Sequence, residues 1–243
     1  MTQLVPQQQI DTNLSAAFIN ANQRLDSALS ITIEKYLNGA INIKLETEHL
    51  IAFPVLPTDA DDYHRQLFGD AQVMEKYGIG EVRDRATVDE SIEKWVKRWE
   101  TGDPFGAFTV RLKSGEFAGH VVLYHGEAAG HSEIAYLMRK DLWGKGLGTE
   151  AVSAVVKDLA PLLRSSGFEV AGGPLAFINA TARPDNPASG KILSRLGMEV
   201  VGAGEKFGAY REYFQKEVPL ADPFRSLSMF VFPDRIVTIE SRE

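Results

Sequence analysis

Ser132-Glu133-Ile134-Ala135-Tyr136-Leu137-Met138-Arg139-Lys140-Asp141-Leu142-Trp143-Gly144-Lys145-Gly146-Leu147-Gly148-Thr149-Glu150-Ala151 is the stretch whose reading decides the fold. Its first eight residues read as a β-strand. Gly144, Gly146 and Gly148 then alternate with other residues, and a helix-forming run follows at once. Bare N–H groups at a helix N-terminus converge on an anion. Glycine admits both the close approach and the positive φ that such a loop needs. Strand, glycine loop and helix together point to a cradle for a phosphate-bearing cofactor, with a plain surface turn into a helix as the alternative.

Two common nucleotide-binding patterns do not fit. A P-loop needs GxxxxGK[ST], and Gly144-Lys145 is followed by Gly146. A dinucleotide fingerprint needs GxGxxG after the first strand of a βαβ unit. Here the spacing is GxGxG, and the preceding strand ends a run of antiparallel-looking segments.

Outward from the loop, the spacing predicts strands at 107–112, 118–124, 175–182, 199–202 and 210–218, with a shorter one at 49–54. Helices are predicted from Thr58 to Phe68, from Val88 to Thr101 with Thr87 as N-cap, and from Thr149 to Ser165 with a kink or early end at Pro161. Another opens at Pro184-Asp185-Asn186-Pro187 and stops at Gly197. Trp95 and Trp99 share one helical face and read as core. Gly172-Gly173-Pro174 marks a longer loop.

Residues 1–43 read as a mostly helical N-terminal extension. Met1–Gln9 is polar and expected to be disordered. Leu14, Phe18, Ala21, Leu25, Leu29, Ile33 and Leu37 then recur at helical spacing up to an Asn38-Gly39 stop. That helix either packs on its own domain or pairs with a partner, a second copy in a homodimer included. Residues 44–219 form the main domain. Residues 220–243 form a tail with apolar segments at 229–232 and 236–239 that can dock.

The 243 residues are 44% hydrophobic and 24% charged, as in ordinary globular chains. There is no cysteine, which removes disulfides, thiolate zinc sites and cysteine nucleophiles. Five histidines lack ligand spacing, so no metal is expected. His120, His125 and His131 read as surface or turn residues. A net charge of −7 speaks against a nucleic-acid partner. No run approaches a membrane span, and the polar N-terminus lacks a secretory pattern, so a cytoplasmic location is expected.

Residues 50–218 resemble the GNAT acyl-CoA N-acyltransferases, and most of all the Rim-type branch that acetylates ribosomal-protein N-termini. The stretches that carry the resemblance are LETEHLIAFPVLPTDADDYHRQL (45–67), SEIAYLMRKDLWGKGLGTEAV (132–152) and ARPDNPASGKILSRLGMEVVG (182–202). Trp143 stands where the superfamily loop usually has Gln or Arg, a position at which the Rim-type branch commonly carries an aromatic. The resemblance implies an α+β fold: a mixed, mostly antiparallel central sheet of about seven strands, flanked by helices and splayed at an acetyl-CoA slot.

It also implies roles. The backbone amides of Trp143, Gly144, Lys145, Gly146, Leu147, Gly148 and Thr149 hold the pyrophosphate of acetyl-CoA. Leu137 and Arg139 offer backbone groups to the pantetheine arm, and Asn186 touches that arm or caps its helix. The N–H of Leu137 or Met138 receives the oxyanion. Ser189 protonates or bonds the departing thiolate. Leu193 stands where many members carry a catalytic tyrosine, with Tyr210 and Tyr213 in reserve. Glu133 is the base, or else a solvated strand-end carboxylate or an ion-pair partner. The implied activity is acetyl transfer to a primary amine by direct attack on the thioester. The alternative is a catalytically weak acyl-CoA-binding sensor or interaction module.

Overall fold

The computed structural model describes residues 28–222, 228–232 and 235–241. The part of the predicted extension before residue 28 lies outside them.

The elements run β1 (Ala28–Lys35), β2 (Ile41–Thr47), β3 (Leu50–Pro54), α1 (Ala60–Tyr63, prolonged to Phe68 by a wide turn), α2 (Ala71–Met74), α3 (Arg85–Glu100), β4 (Ala107–Leu112), β5 (Phe117–His125), β6 (His131–Met138), α4 (Leu147–Ser153), α5 (Ala160–Ser165), β7 (Glu169–Val170), β8 (Gly173–Pro174), β9 (Phe177–Ala182), α6 (Pro187–Arg195), β10 (Glu199–Lys206), β11 (Ala209–Glu217), β12 (Ser228–Phe232) and β13 (Arg235–Ser241). Among the described residues, no helix is long and apolar enough to cross a membrane.

One eleven-stranded sheet carries the order β10-β11-β9-β6-β5-β4-β3-β2-β1-β13-β12. The seven strands expected from the sequence are β3, β4, β5, β6, β9, β10 and β11. The other four, β1, β2, β12 and β13, widen the sheet at one end.

The predicted helix through Leu37 is therefore corrected over its described part: residues 28–35 form strand β1. Leu29, Ile33 and Leu37 do lie at helical spacing. Leu29, Ile31 and Ile33 equally alternate with polar residues, and β-branched side chains favour the pleated form. Pairing decides between the two periods. β1 lies antiparallel to β2 on one side and β13 on the other, with Ile31 and Ile33 fully buried and Leu37 exposed. Asn38-Gly39 makes the β1–β2 turn, with Gly39 at φ +88. The tail docks as expected, by adding β13 and β12 to this edge.

The main-domain elements follow prediction, with small shifts. α3 begins earlier than expected, because Asp84 caps it by accepting the Thr87 N–H at 2.8 Å. Trp95 and Trp99 are core residues, and Trp99 meets the Phe108 ring at 4.9 Å. Pro161 does not end its helix. A wide π-type turn at Ala154–Leu159 absorbs the missing N–H and the ring's clash with the preceding turn, and the helical rod continues to Ser165. Asp59 is buried and ties the start of α1 to β4: it accepts from Leu56 N–H at 3.0 Å, Thr109 Oγ1 at 2.7 Å and Arg111 Nη2 at 2.7 Å. The Gly172-Gly173-Pro174 segment forms a small hairpin, β7 against β8.

Candidate active site

β6 pairs antiparallel with β5 along its whole length, but parallel with β9 only at His131, Ser132 and Glu133. Beyond that point β9 follows β11, to which it is paired from Phe177 to Ala182. The Asn179 amide closes the end of the short ladder by donating to Ser132 O at 3.3 Å, and Gln215 donates to Asn179 Oδ1 at 3.0 Å. Ile134–Met138 is left facing an open wedge within a cleft of about 1980 Å³.

Register decides which backbone groups face that wedge. Arg139 N–H donates to Ala118 O at 2.8 Å, and Gly126 N–H donates to His131 O at 2.8 Å. Antiparallel partners exchange bonds at alternate residues, so the odd-numbered residues of β6 spend their backbone groups on β5. Ile134, Tyr136 and Met138 turn theirs toward the wedge. This corrects the assignment of Leu137 and Arg139 as backbone partners of a pantetheine arm, and of Leu137 N–H as oxyanion donor. The Met138 carbonyl is already engaged by the Trp143 indole N–H at 2.8 Å. The Arg139 side chain is held by Asp141 in a fork at 2.7 and 3.0 Å.

The glycine loop sits at the end of the wedge. Trp143 N–H donates to Lys140 O at 3.1 Å, which removes that amide from the predicted cradle. Gly146 opens the α4 rod at φ +82, a left-handed conformation that favours glycine. Among the described residues no side chain caps this helix, and the N–H groups of residues 144–149 make no loop or capping bond. These are the orphan donors of a helix start, with the positive end of the helix dipole behind them. Gly144, Gly146, Gly148 and Thr149 line the cleft. Leu147 is buried in the core, so only its backbone can serve, and Lys145 lies exposed on the loop outside the lining. Glu150 fastens the rod to the β2–β3 turn: it accepts His49 N–H at 2.8 Å and bonds Thr47 Oγ1 and the His49 ring.

The two faces of β6 carry different chemistry. Glu133 lies on the face shared with Tyr124, its cross-strand partner, and with Tyr77. Its carboxylate is paired with Lys206 Nζ at 3.0 Å, and both line the cleft. The ion pair named among the readings of Glu133 is thus present in the structure. Leu137, on the same face, packs opposite His120. His120 is fully buried among Tyr63, Phe68, Tyr77 and Trp95, with ring centroids 5.3–6.2 Å away, and burial pulls its pKa down to about 3. The surface reading of His120 is corrected: β5 is an interior strand of the sheet, buried on both faces from Phe117 to Leu123. His125 bonds Asp103 at 2.9 Å, and His131 stacks on Phe177 at 4.8 Å.

On the opposite face, Tyr136 reaches α6. Its hydroxyl lies 2.8 Å from Ser189 Oγ, and burial pushes its pKa up to about 12. Asn186 is the N-cap of α6, accepting the Ser189 N–H at 3.2 Å, and it also lines the cleft. Leu193 is buried. Tyr210 and Tyr213, the reserve acids, do not line the cleft. Tyr136 and Lys206 were missed in the sequence. Strand alternation places Tyr136 opposite to Glu133, but nothing local ties it to Ser189. Lys206 arrives through a hairpin pairing with no short-range signal.

The site therefore offers unpaired amides for a diphosphate and a strand edge for an extended amide chain. A carboxylate and a hydroxyl pair stand on the two sides of that edge. A protein-family model described as an acetyltransferase (GNAT) domain matches residues 49–199. The fold is similar to that of an acetyltransferase (GNAT family) from Bacillus anthracis at 18% identity, covering 71% of this chain and 95% of that one with a TM-score of 0.57. It is similar to RimL, the ribosomal L7/L12 α-N-protein acetyltransferase in complex with coenzyme A, at 13% identity, 72% and 97% coverage and a TM-score of 0.57. It is also similar to the microcin C7 self-immunity acetyltransferase MccE in complex with acetyl-CoA and AMP, at 14% identity, 71% and 94% coverage and a TM-score of 0.56. The splayed strands, the uncapped glycine loop and a family model spanning most of the chain lead to one conclusion: this protein belongs to the GNAT acetyltransferase family.

Proposed function

We propose that the chain transfers the acetyl group of acetyl-CoA to a primary amine, as an N-acetyltransferase of the Rim-type branch. The observation that carries this reading is the wedge between β6 and β9, with unpaired loop amides at one end and Glu133 at the other. The pyrophosphate seats on the amides of residues 144–149. The pantetheine arm adds to the free edge of β6 through the Tyr136 carbonyl and the Met138 N–H, as an extra strand would.

The acceptor arrives as an ammonium and must lose a proton before it can attack. Glu133 is the carboxylate at hand, and the incoming ammonium exchanges with Lys206 for it. The amine nitrogen then attacks the thioester carbon, and the Tyr136 N–H, which also faces the wedge and lies nearer Glu133, donates to the developing oxyanion. Collapse breaks the C–S bond. The proton needed by the departing thiolate comes through the Tyr136–Ser189 hydroxyl pair, which takes the place of the tyrosine absent at Leu193. Burial keeps Tyr136 protonated at neutral pH, as a donor must be. This hydroxyl pair weighs against the sensor alternative.

Thermal melts with acetyl-CoA, CoA and NAD test the cofactor. Stabilisation by both CoA species and not by NAD is expected, and stabilisation by neither would end this reading. CoA-thiol release across an amine panel tests the reaction. Release that no amine accelerates would leave binding without transfer.

A further inference from the structure

Arg83 is a cation in the cleft wall that the transfer chemistry does not use. Its guanidinium lies 4.5 Å from the centroid of the Phe68 ring, and the Arg83 backbone N–H donates to Phe68 O at 2.8 Å. It is half-buried. Among the described residues no carboxylate pairs with it, in a chain that has 33 acidic against 26 basic residues. The Phe68 ring that Arg83 covers meets the Tyr77 ring at 6.2 Å, and Arg83, Tyr77, Tyr124 and Glu133 line the same cleft, with Tyr124 the cross-strand neighbour of Glu133. A guanidinium without a carboxylate partner thus shares the cleft wall with the carboxylate that receives the amine. Lys206 brings a second cation to the same end of the cleft. A guanidinium stacked on an aromatic ring keeps its fork edge open for a bidentate oxyanion.

We propose that Arg83 binds a carboxylate of the acceptor, so that the acceptor is an amino acid, its amine at Glu133 and its carboxylate on the guanidinium. The inference rests on the transfer reading above and adds the acceptor class. An acceptor ammonium displaces Lys206 from Glu133, which leaves Lys206 to balance the same carboxylate. Each end of the zwitterionic acceptor then meets an opposite charge, and the net charge of the three groups is unchanged.

The test uses the full chain and acetyl-CoA, with matched acceptors in free and carboxamide form: α-, β- and γ-amino acids and their amides. A short peptide beginning with Asp is compared with its Asn counterpart as a separate arm. A charge-assisted bidentate contact predicts a preference for the carboxylate of about tenfold to a hundredfold in kcat/KM. Arg83→Met keeps an apolar stem over Phe68 and is expected to erase that preference, while Arg83→Lys keeps part of it. A preference confined to the peptide arm overturns the amino-acid assignment, because the free acids and their amides are then used equally. Equal use of acids and amides by the unmodified protein overturns the proposal without recourse to a variant. So does an undiminished preference in Arg83→Met. Failure to bind acetyl-CoA, or to transfer to any amine, instead removes the transfer reading on which the proposal stands.

Discussion

Replacing Gly146 by alanine separates the conformation of the loop from its space. Gly146 sits at φ +82 and ψ −14, and a Cβ built there meets nothing within 4 Å. Sterics against neighbouring protein atoms therefore add no cost. The left-handed conformation itself costs an L-residue about 1–2 kcal/mol. Either the backbone keeps its shape and the fold carries the strain, or the loop relaxes and its amides no longer converge. In the first case the melting temperature falls by about 2–8 °C, at ~2–4 °C per kcal/mol for a chain of this size. In the second, acetyl-CoA affinity falls by about 5- to 30-fold. Melting curves and calorimetric titration on the same preparation read both. Gly190→Ala is the control. It lies inside α6 with open space and no positive φ, and alanine there is expected to stabilise the helix by up to about 1 kcal/mol. Gly146→Glu adds a negative charge beside the pyrophosphate. Two unit charges about 4 Å apart near a protein surface repel by about 4 kcal/mol, enough to abolish measurable binding. If Gly146→Ala changes neither stability nor affinity, the cradle argument is wrong.

Glu133→Gln removes the proton acceptor and should lower turnover by about 10²- to 10⁴-fold with little change in acetyl-CoA affinity, and unchanged turnover would exclude it as base. Tyr136→Phe leaves Ser189 without its 2.8 Å partner; steady-state and burst kinetics should show slower thiolate release, in the same range of magnitude as any general acid. Asp59→Ala breaks a buried ion pair and should cost about 3 kcal/mol in urea unfolding, the lower end of the range because Arg111 keeps Asp62 at 3.3 Å. His120 stays neutral in the folded protein down to about pH 3, while the unfolded chain protonates it below about pH 6.5. Its contribution to stability therefore falls as pH drops through that window, by about 2 kcal/mol between pH 7 and pH 5. Urea unfolding at the two pH values should show less of this loss in His120→Phe.

Local pattern carried the central strands, the glycine loop and the α6 cap, because each is set by residues a few positions apart. Gly146 announces its own backbone conformation, and Asn186 announces its cap. The sheet edge was not legible in the same way. In residues 28–37 two hydrophobic periods coexist, and the choice between them rests on β2 and β13, the second far away in the chain. Backbone direction along β6 was misread by one residue because it depends on which neighbour β5 engages, and alternation alone leaves that parity open. Lys206 and Tyr136 belong to the site through pairings of β10–β11 and β6–α6 that no spacing rule encodes. The Trp143 backbone amide was read as part of the cradle, and it bonds Lys140 O instead, while the indole secures the Met138 carbonyl.

The central claim is that acetyl-CoA lies in the wedge between β6 and β9. A crystal structure of the protein with CoA tests it most directly. The account predicts the pyrophosphate on the amides of residues 144–149 and the pantetheine arm along Ile134–Met138, bonded to the Tyr136 carbonyl and the Met138 N–H. CoA bound elsewhere, or an arm bonded to Ala135 and Leu137 instead, would contradict it.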